Sequence, residues 1–454
     1  MTHNVPTERV LSTLNQDGTR LYIRPKLAHG RFLTRRRVVG FLLIALFVLL
    51  PRLRIAGHPA LLIDLVTRDI YVFGALFRPS EGFALAMLGM TIVIAVFLVT
   101  ALFGRVWCGW GCPQTVYLEL VFRPIERFLE GSRGQRASPW RKVVKWTLYA
   151  AVAFALSNVF LAYFVGTDRL EKWVFHSPLE HPIGFSIVIG VAGLMLLDFG
   201  WFREQMCTIA CPYGRLQSVL LDRQSLIVGY DATRGEPRTK PKKKLPVAGG
   251  DCVDCSACVS VCPTGIDIRE GLQMECIGCA QCIDACDGVM DKLGRKRGLI
   301  RYTSQDELGG KPRKILRVRT VVYPVLLALA VGLLGFSVGT HDSTEVWIER
   351  IQGPAFVELP DGKISSQARI KLENASDVER RYHLLLAESP GASLRGNFQW
   401  TIKAHKSQEI PIFIDVPRDS FVNGKRKVYL RIHDSGGAER VVTLTLLGPD
   451  GGSK

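Results

Sequence analysis

Eight of the twelve cysteines fall in a doubled run, Cys252-x2-Cys255-x2-Cys258-x3-Cys262-Pro263 followed by Cys276-x2-Cys279-x2-Cys282-x3-Cys286. Three thiolates two residues apart can wrap one face of an iron–sulfur cubane, while the fourth lies too far round to close it and ligates a neighbouring cluster instead. The spacing therefore assigns Cys252, Cys255, Cys258 and Cys286 to one [4Fe–4S] cluster, and Cys276, Cys279, Cys282 and Cys262 to a second. Pro263 would turn the chain away after the first crossover ligand. Asp287 stands where the second copy would carry proline, which removes no ligand. Four thiolates also suit structural zinc, but eight cysteines in this doubled order favour clusters.

The other four form a repeat: Trp107-Cys108-Gly-Trp-Gly-Cys112-Pro113 and Met206-Cys207-Thr-Ile-Ala-Cys211-Pro212. Residues four apart share a helix face, so each pair is expected to make one dithiol edge. Cys108, Cys112, Cys207 and Cys211 together would suit a soft ion such as Cu(I), a further cluster, or zinc. A single buried cysteine behaves as a small hydrophobe; two matched pairs at equivalent helix ends favour metal or redox use. Met87, Met90, Met195 and Met206 are candidate thioether ligands, although core packing explains Met87 and Met90 better. Asp198 near a span end is a functional candidate or a solvated interface carboxylate. His58, His176, His181 and His341 are better read as interface histidines than as ligands. The sequence lacks a haem-attachment Cys-x2-Cys-His, a G-x-G-x-x-G fingerprint, a Walker loop and H-E-x-x-H. Electrons must then come from a partner protein, a quinol or a small reductant.

These sites need elements to hold them. Hydrophobic residues make up 48% of the 454, the mean hydropathy is +0.16, and yet 22% are charged. That mixture fits a membrane protein with sizeable soluble parts. Phe83–Phe103, Trp146–Gly166, Pro182–Leu197 and Thr320–Gly339 are apolar runs near the ~20 residues a bilayer core requires. Val38–Leu50 is a shorter fifth, spanning only if Arg35–Arg37 and Arg52 snorkel. The net charge of +17 gathers beside these runs and in the segments expected to be cytoplasmic. The positive-inside rule explains it more simply than nucleic acid does, and Lys240, Lys242, Lys243 and Lys244 read as a solvated linker. Five spans then put the N-terminus inside and the C-terminus outside the cell inner membrane, with lipid as the first partner. Ala60–Phe77 is expected to lie along the membrane surface. Polar residues precede the first run and no small-residue cleavage site follows it, so that run reads as a retained anchor.

The expected organisation is a cytoplasmic tail (1–37), a four-span membrane domain (38–212), a cytoplasmic ferredoxin-like α+β insert with linkers (213–317), a fifth transmembrane helix (318–339) and a periplasmic immunoglobulin-like β-sandwich (340–454). The sandwich rests on seven β-rich runs separated by turns. The tail after Cys286 has no cysteine, whereas a disulfide framework would place cysteines in the exported part. The cysteines therefore belong to the reducing side.

These residues together resemble the cytochrome oxidase accessory proteins of the CcoG (FixG, RdxA) family. The likeness runs through both Cys-x3-Cys-Pro motifs, Cys207 to Arg215, both cluster runs, Asp287-Gly-Val-Met-Asp-Lys292, Gly298-Leu-Ile-Arg-Tyr302 and the C-terminal sandwich. It implies a cupric reductase, Cu(II) to Cu(I), in assembly of cbb3-type cytochrome c oxidase. Cys108, Cys112, Cys207 and Cys211 would be the copper-associated thiols, and oxidase subunits or copper-handling assembly factors the partners. The alternatives are a membrane electron-transfer subunit without copper chemistry, or an assembly scaffold. The electron donor is left open.

Overall fold

A computed structural model describes residues 12–13, 19–55, 57–77, 82–131, 138–238, 249–312, 314, 316–339, 344–351, 353–374, 376, 378–404, 406–437 and 439–449. The lysine cluster at 240–244 and His341 lie outside them. The chain forms two compact units, Met1–Val338 and Gly339–Lys454.

Among the described residues four helices in the first unit are long and apolar enough to cross a membrane: Gly82–Phe103, Pro139–Val165, Pro182–Phe202 and Val318–Ser337. Only 6% of the last is buried in the protein. An apolar helix so bare is stable only if lipid replaces the missing neighbours, which makes this a membrane protein. The second span begins seven residues earlier than its hydropathy indicates, because Pro139 suits the first turn of a helix and Arg141 reaches back to the Leu129 carbonyl at 3.2 Å.

The run Val38–Leu50 lies in a helix over Arg31–Leu49. Its first two turns carry Arg31, Arg35, Arg36 and Arg37, and buried Arg36 donates Nε–H to the Gly109 carbonyl at 2.7 Å. The helix docks its basic end on protein. Among the described residues four helices carry the composition of spans, and the arginines of its first two turns keep this fifth outside that set, while Phe41, Leu42, Leu46 and Leu49 of its apolar part are exposed as on a lipid-facing helix.

Within Ala60–Phe77 the chain folds into a three-stranded antiparallel meander, Leu61–Asp64, Asp69–Val72 and Ala75–Phe77. The turn at Phe73-Gly74 has positive φ at both residues, the hairpin geometry that matches strand twist.

The cluster-bearing insert is closed by a two-stranded antiparallel sheet, Ile227–Tyr230 against Ile300–Thr303. It pairs the chain before the cysteine run with the chain after it. Val228, Ile268, Ile283, Met290, Leu299 and Ile300 are all buried beneath the cysteines. The Gln281–Lys292 helix runs straight through Cys286, where proline would delete a helical hydrogen bond. This explains Asp287. Its carboxylate accepts the Gly298 N–H at 2.9 Å and ties the helix to the chain that leads into the strand.

The second unit is a sandwich. One sheet has the order Ser393–Arg395, Ser407–Pro417, Lys363–Asn374, Thr344–Arg350, with Val357–Glu358 also on the Lys363–Asn374 strand; the other runs Gln399–Ile402, Arg380–Ala387, Lys425–Asp434, Glu439–Leu447. Alternate residues of both enter one core, including Ile364, Ile370, Leu372, Leu384, Ile414 and Val428. The strand Thr344–Arg350 is additional to the seven runs read from sequence, in which its alternation merges with the end of the last span.

Candidate functional site

The insert gathers its thiols in two sets. Cys252, Cys255, Cys258 and Cys286 line one cavity of about 350 Å³. Cys262, Cys276, Cys279 and Cys282 line another of about 340 Å³, whose wall Cys258 also reaches. Each cavity is therefore closed by the far cysteine of the opposite run, because Cys286 lies one turn past Cys282 on the ligand helix. Among the described residues no three Cys, His, Asp or Glu side chains close to the spacing of a single ion. The two four-thiol sets, with apolar walls and no competing carboxylate on either lining, fit a larger sulfur-rich group. None of the twelve cysteines is in a disulfide. Burial pushes Cys258 and Cys276 up to about 11, and Cys279 and Cys286 up to about 12. Without metal they are protonated at neutral pH, and metal entry must displace protons. Arg269 stands in the wall of the first cavity, fixed by Asp254 at 2.7 Å and by Asp267.

The other four thiols are not on continuous helices, contrary to the i, i+4 expectation. The helix Val106–Trp110 ends at Gly111, Cys112 is extended, and a new helix starts at Pro113. The second motif repeats this: a π-helical turn over Met206–Ala210, then Cys211 extended, then the Pro212–Leu220 helix. Proline drives the residue before it out of the helical region and suits the first position of the next helix, so the shared Cys-Pro pair dictates the break. The Cys112 N–H bonds the Trp107 carbonyl at 2.9 Å and the Cys211 N–H bonds the Met206 carbonyl at 2.8 Å. Two π-helical segments, Leu118–Phe122 and Leu197–Phe202, flank the pair. Such segments recur at functional sites.

The break still brings the four thiols together. Cys108, Cys112 and Cys211 all bear electrostatically on Cys207, and burial with these neighbours pushes Cys207 up to about 12. Cys108 is pushed to about 12 by burial and by Cys112. The Cys108 thiol donates to the Gln217 side-chain carbonyl at 3.2 Å, and fully buried Gln217 is itself anchored on the Gly104 carbonyl at 2.8 Å. The Gln114 and Thr115 amides point at the Cys112 sulfur from the new helix N-terminus and favour its thiolate against the burial that opposes it.

The two thiol groups share a boundary. A Cβ on Gly109 would lie 2.7 Å from the Ile277 carbonyl oxygen and 2.8 Å from both the amide nitrogen and Cα of Cys279. Only glycine fits between the Val106–Trp110 helix, which carries Cys108, and the loop of the second cluster site. Arg105 donates to the Met274 and Cys276 carbonyls and interacts electrostatically with both the Cys276 and Cys108 thiols. The Trp110 indole donates to the Tyr302 hydroxyl at 3.0 Å, which donates to the Gly278 carbonyl at 2.6 Å.

A buried ion network fixes this boundary from behind. Arg123 pairs with Glu119 and, at 3.1 Å, with Glu204, and Arg203 pairs with Glu126 at 2.9 Å. Burial would raise the Glu119 carboxyl, but Arg123, Arg36 and Arg127 pull it below the usual range. The Asp284 carboxylate accepts the Phe32 and Leu33 amides at 3.1 and 2.7 Å, capping the first helix from the ligand helix.

Other sequence candidates disperse. His58 stacks on Tyr71, His181 on Trp173, and His176 bonds the Lys172 carbonyl. Asp198 accepts from Gln114 at 3.0 Å, and Met195 and Met206 line an apolar cavity beside the thiols that Met87 and Met90 do not reach. Arg36, Arg105, Gly109, Gln217 and Tyr302 carry no spacing signal and emerge only from the fold.

Comparison with known proteins agrees with this architecture. A 4Fe-4S dicluster domain matches residues 202–305, a 4Fe-4S binding domain matches 85–132, and the IG-like fold at the C-terminal of FixG, assigned to an oxidoreductase, matches 334–449. The chain is 35% identical to nitrogen fixation protein FixG of Rhizobium meliloti (strain 1021), over 92% of this chain and 91% of that one. It is 33% identical to protein RdxA of Cereibacter sphaeroides, over 92% and 94%. A crystal structure of a FixG-related protein from Vibrio parahaemolyticus aligns with 24% of this chain and 98% of its own, at 13% identity and a TM-score of 0.22. With two four-thiol cavities in its insert and a C-terminal sandwich, the chain belongs to the FixG/RdxA family of membrane iron–sulfur proteins.

Proposed function

We propose that this chain is a membrane cupric reductase acting in assembly of cbb3-type cytochrome c oxidase. Cys252, Cys255, Cys258 and Cys286 would hold one [4Fe–4S] cluster, and Cys262, Cys276, Cys279 and Cys282 the other. Bound there, the clusters supply one-electron transfer. Copper is the substrate: Cu(II) gains one electron and becomes Cu(I), for which Cys108, Cys112, Cys207 and Cys211 are the candidate soft ligands; no three of them stand at the spacing of a single ion, so holding it would take two thiols or a closing of the quartet. The observation that carries this reading is the Gly109–Cys279 contact, which sets the second cluster loop directly against the thiol quartet. Counting the Arg31–Leu49 helix as a fifth crossing, the basic residues beside the spans support a cytoplasmic N-terminus and insert, with the sandwich on the periplasmic side and available to oxidase subunits or copper-handling factors.

The 4Fe-4S binding domain matched over 85–132 supports a second reading, in which the quartet holds a further cluster and the protein feeds electrons to a partner without copper. One experiment separates them. Anaerobic protein in detergent is reduced and mixed with Cu(II), and cluster absorbance is followed together with chelated Cu(I). The copper reading requires Cu(I) from the wild type and none from the variant with all four thiols changed to serine. Equal reduction by both proteins, or by neither, overturns it; loss of iron from that variant would favour the further cluster.

A further inference from the structure

We propose that the apolar cavity beside the thiol quartet binds a membrane quinol, and that this quinol is the protein's electron donor. The cavity lies between the Arg31–Leu49 helix, the Pro113–Tyr117 helix and the third span, and holds about 1830 Å³ including its open mouth. Its walls are almost wholly aliphatic and aromatic, the usual make-up of a small-molecule site with a few polar groups to orient the ligand. Leu194, Leu197 and Trp201 form part of its rim and are largely exposed on a spanning helix, so the mouth faces the lipid.

Two polar groups inside select the ligand. Tyr117 is 92% buried, yet among the described residues its hydroxyl has no hydrogen-bond partner. A buried unpaired hydroxyl costs about 1–3 kcal/mol, which a ligand with a complementary group would recover. The Asp198 carboxylate accepts one hydrogen bond, from Gln114, and retains further acceptor capacity. A hydroquinone offers what these groups lack: a flat apolar ring with a hydroxyl at each end, on an isoprenoid tail that can lie in the mouth.

The lining also argues against other occupants. It contains no lysine or arginine, so a phospholipid phosphate would be buried without a counter-charge. The four thiols do not line it, and its volume is far larger than an ion needs. Yet Trp107, Gly111, Pro113 and Met206 do line it, and each lies within one residue of a quartet cysteine. The ring would therefore sit beside the thiols, and through Gly109 close to the second cluster loop.

The overall step balances as quinol plus two Cu(II) giving quinone, two Cu(I) and two protons released to solvent; each O–H bond of the ring breaks and two carbonyls form. This electron route rests on the cupric-reductase reading, whereas binding does not.

The test uses oxidised, cluster-loaded protein in nanodiscs of quinone-free lipid, without copper. Decylubiquinone is titrated while tryptophan fluorescence is read, since Trp107 and Trp201 line the site. Saturable quenching is expected, with Tyr117→Phe weakening affinity about tenfold, Asp198→Asn weakening about tenfold the affinity for decylubiquinol, which alone can donate to that carboxylate and is titrated in the same way into dithionite-reduced protein, and Val191→Trp abolishing both by filling the cavity. Iron content and melting temperature confirm that each variant is folded. Absence of saturable quenching overturns the proposal, as does equal binding of decylbenzene, which has the tail and ring but no oxygens, or unchanged affinity in both polar variants. Protein that binds decylubiquinone but reduces no copper sinks only the copper reading. Protein that reduces copper from dithionite but binds no decylubiquinone sinks only this one.

Discussion

Gly109 and Cys279 meet backbone to backbone: a single added carbon on Gly109 would fall 2.8 Å from the Cys279 amide nitrogen. Neither partner is a flexible side chain, so neither can yield cheaply. Gly109→Ala is expected to cost about 1–3 kcal/mol, typical of overpacking. It should also change the electron paramagnetic resonance signal of one reduced cluster and slow copper reduction. Gly332→Ala, with nothing within 4 Å of the new carbon, should change none of these. Equal effects from both would show that the contact has no special role.

The crossover of ligands makes a prediction that sequence proximity would get wrong. Cys262→Ser should spare the cluster of its own run, Cys252 to Cys258, and disrupt the one held by Cys276, Cys279 and Cys282. Cys286→Ser should do the reverse. Iron is expected to fall from about eight to about four per chain in each variant, with different clusters surviving by Mössbauer spectroscopy. The same surviving cluster in both would refute the pairing.

Thiol reactivity gives the pH dependence. Burial and neighbouring thiols raise Cys108 and Cys207 from 9.0 to about 12, so the neutral thiol is the favoured form in the fold. Thiolate content at pH 8 is then roughly a thousandfold below that of an unperturbed cysteine. Iodoacetamide labelling of metal-free protein, read by peptide mass spectrometry, should be slow at pH 8 and still climb above pH 9, where an exposed thiol levels off. The fold contributes to keeping these protons at low pH and loses that contribution as pH rises past 9. A plateau near pH 9 would contradict the buried quartet.

Arg123 tests the support behind the site. Arg123→Met removes the guanidinium shared by buried Glu119 and Glu204 and leaves them to Arg127 and to Arg20 and Arg203, which should cost about 1.5–3 kcal/mol, the worth of a hydrogen bond to a charged group. A melting temperature within a degree or two of wild type would show that the network is replaceable.

The sequence announced this site unevenly, and the reasons are physical. Cluster ligands follow a spacing imposed by the cubane itself, so the eight cysteines from Cys252 to Cys286 can be assigned from their order along the chain. Span existence was equally legible, because lipid demands about 20 apolar residues. The helical dithiol reading failed since Pro113 and Pro212 act on the residue before them, a local rule that outweighs the i, i+4 count. The Ala60–Phe77 meander was masked by its apolar composition, though Phe73-Gly74 carries its turn. Gly109, Arg105 and Tyr302 were invisible because their roles exist only across the boundary between segments about 170 residues apart, where periodicity has no reach.

The cap that Asp284 places on Phe32 and Leu33 links the two ends of this boundary in time. The carboxylate that satisfies those amides is synthesised some 250 residues after them, between cluster ligands Cys282 and Cys286 on one helix. The start of the first helix is completed only when the ligand helix forms. Assembly of the membrane region and folding of the helix that carries Cys282 and Cys286 are thus joined at a single side chain.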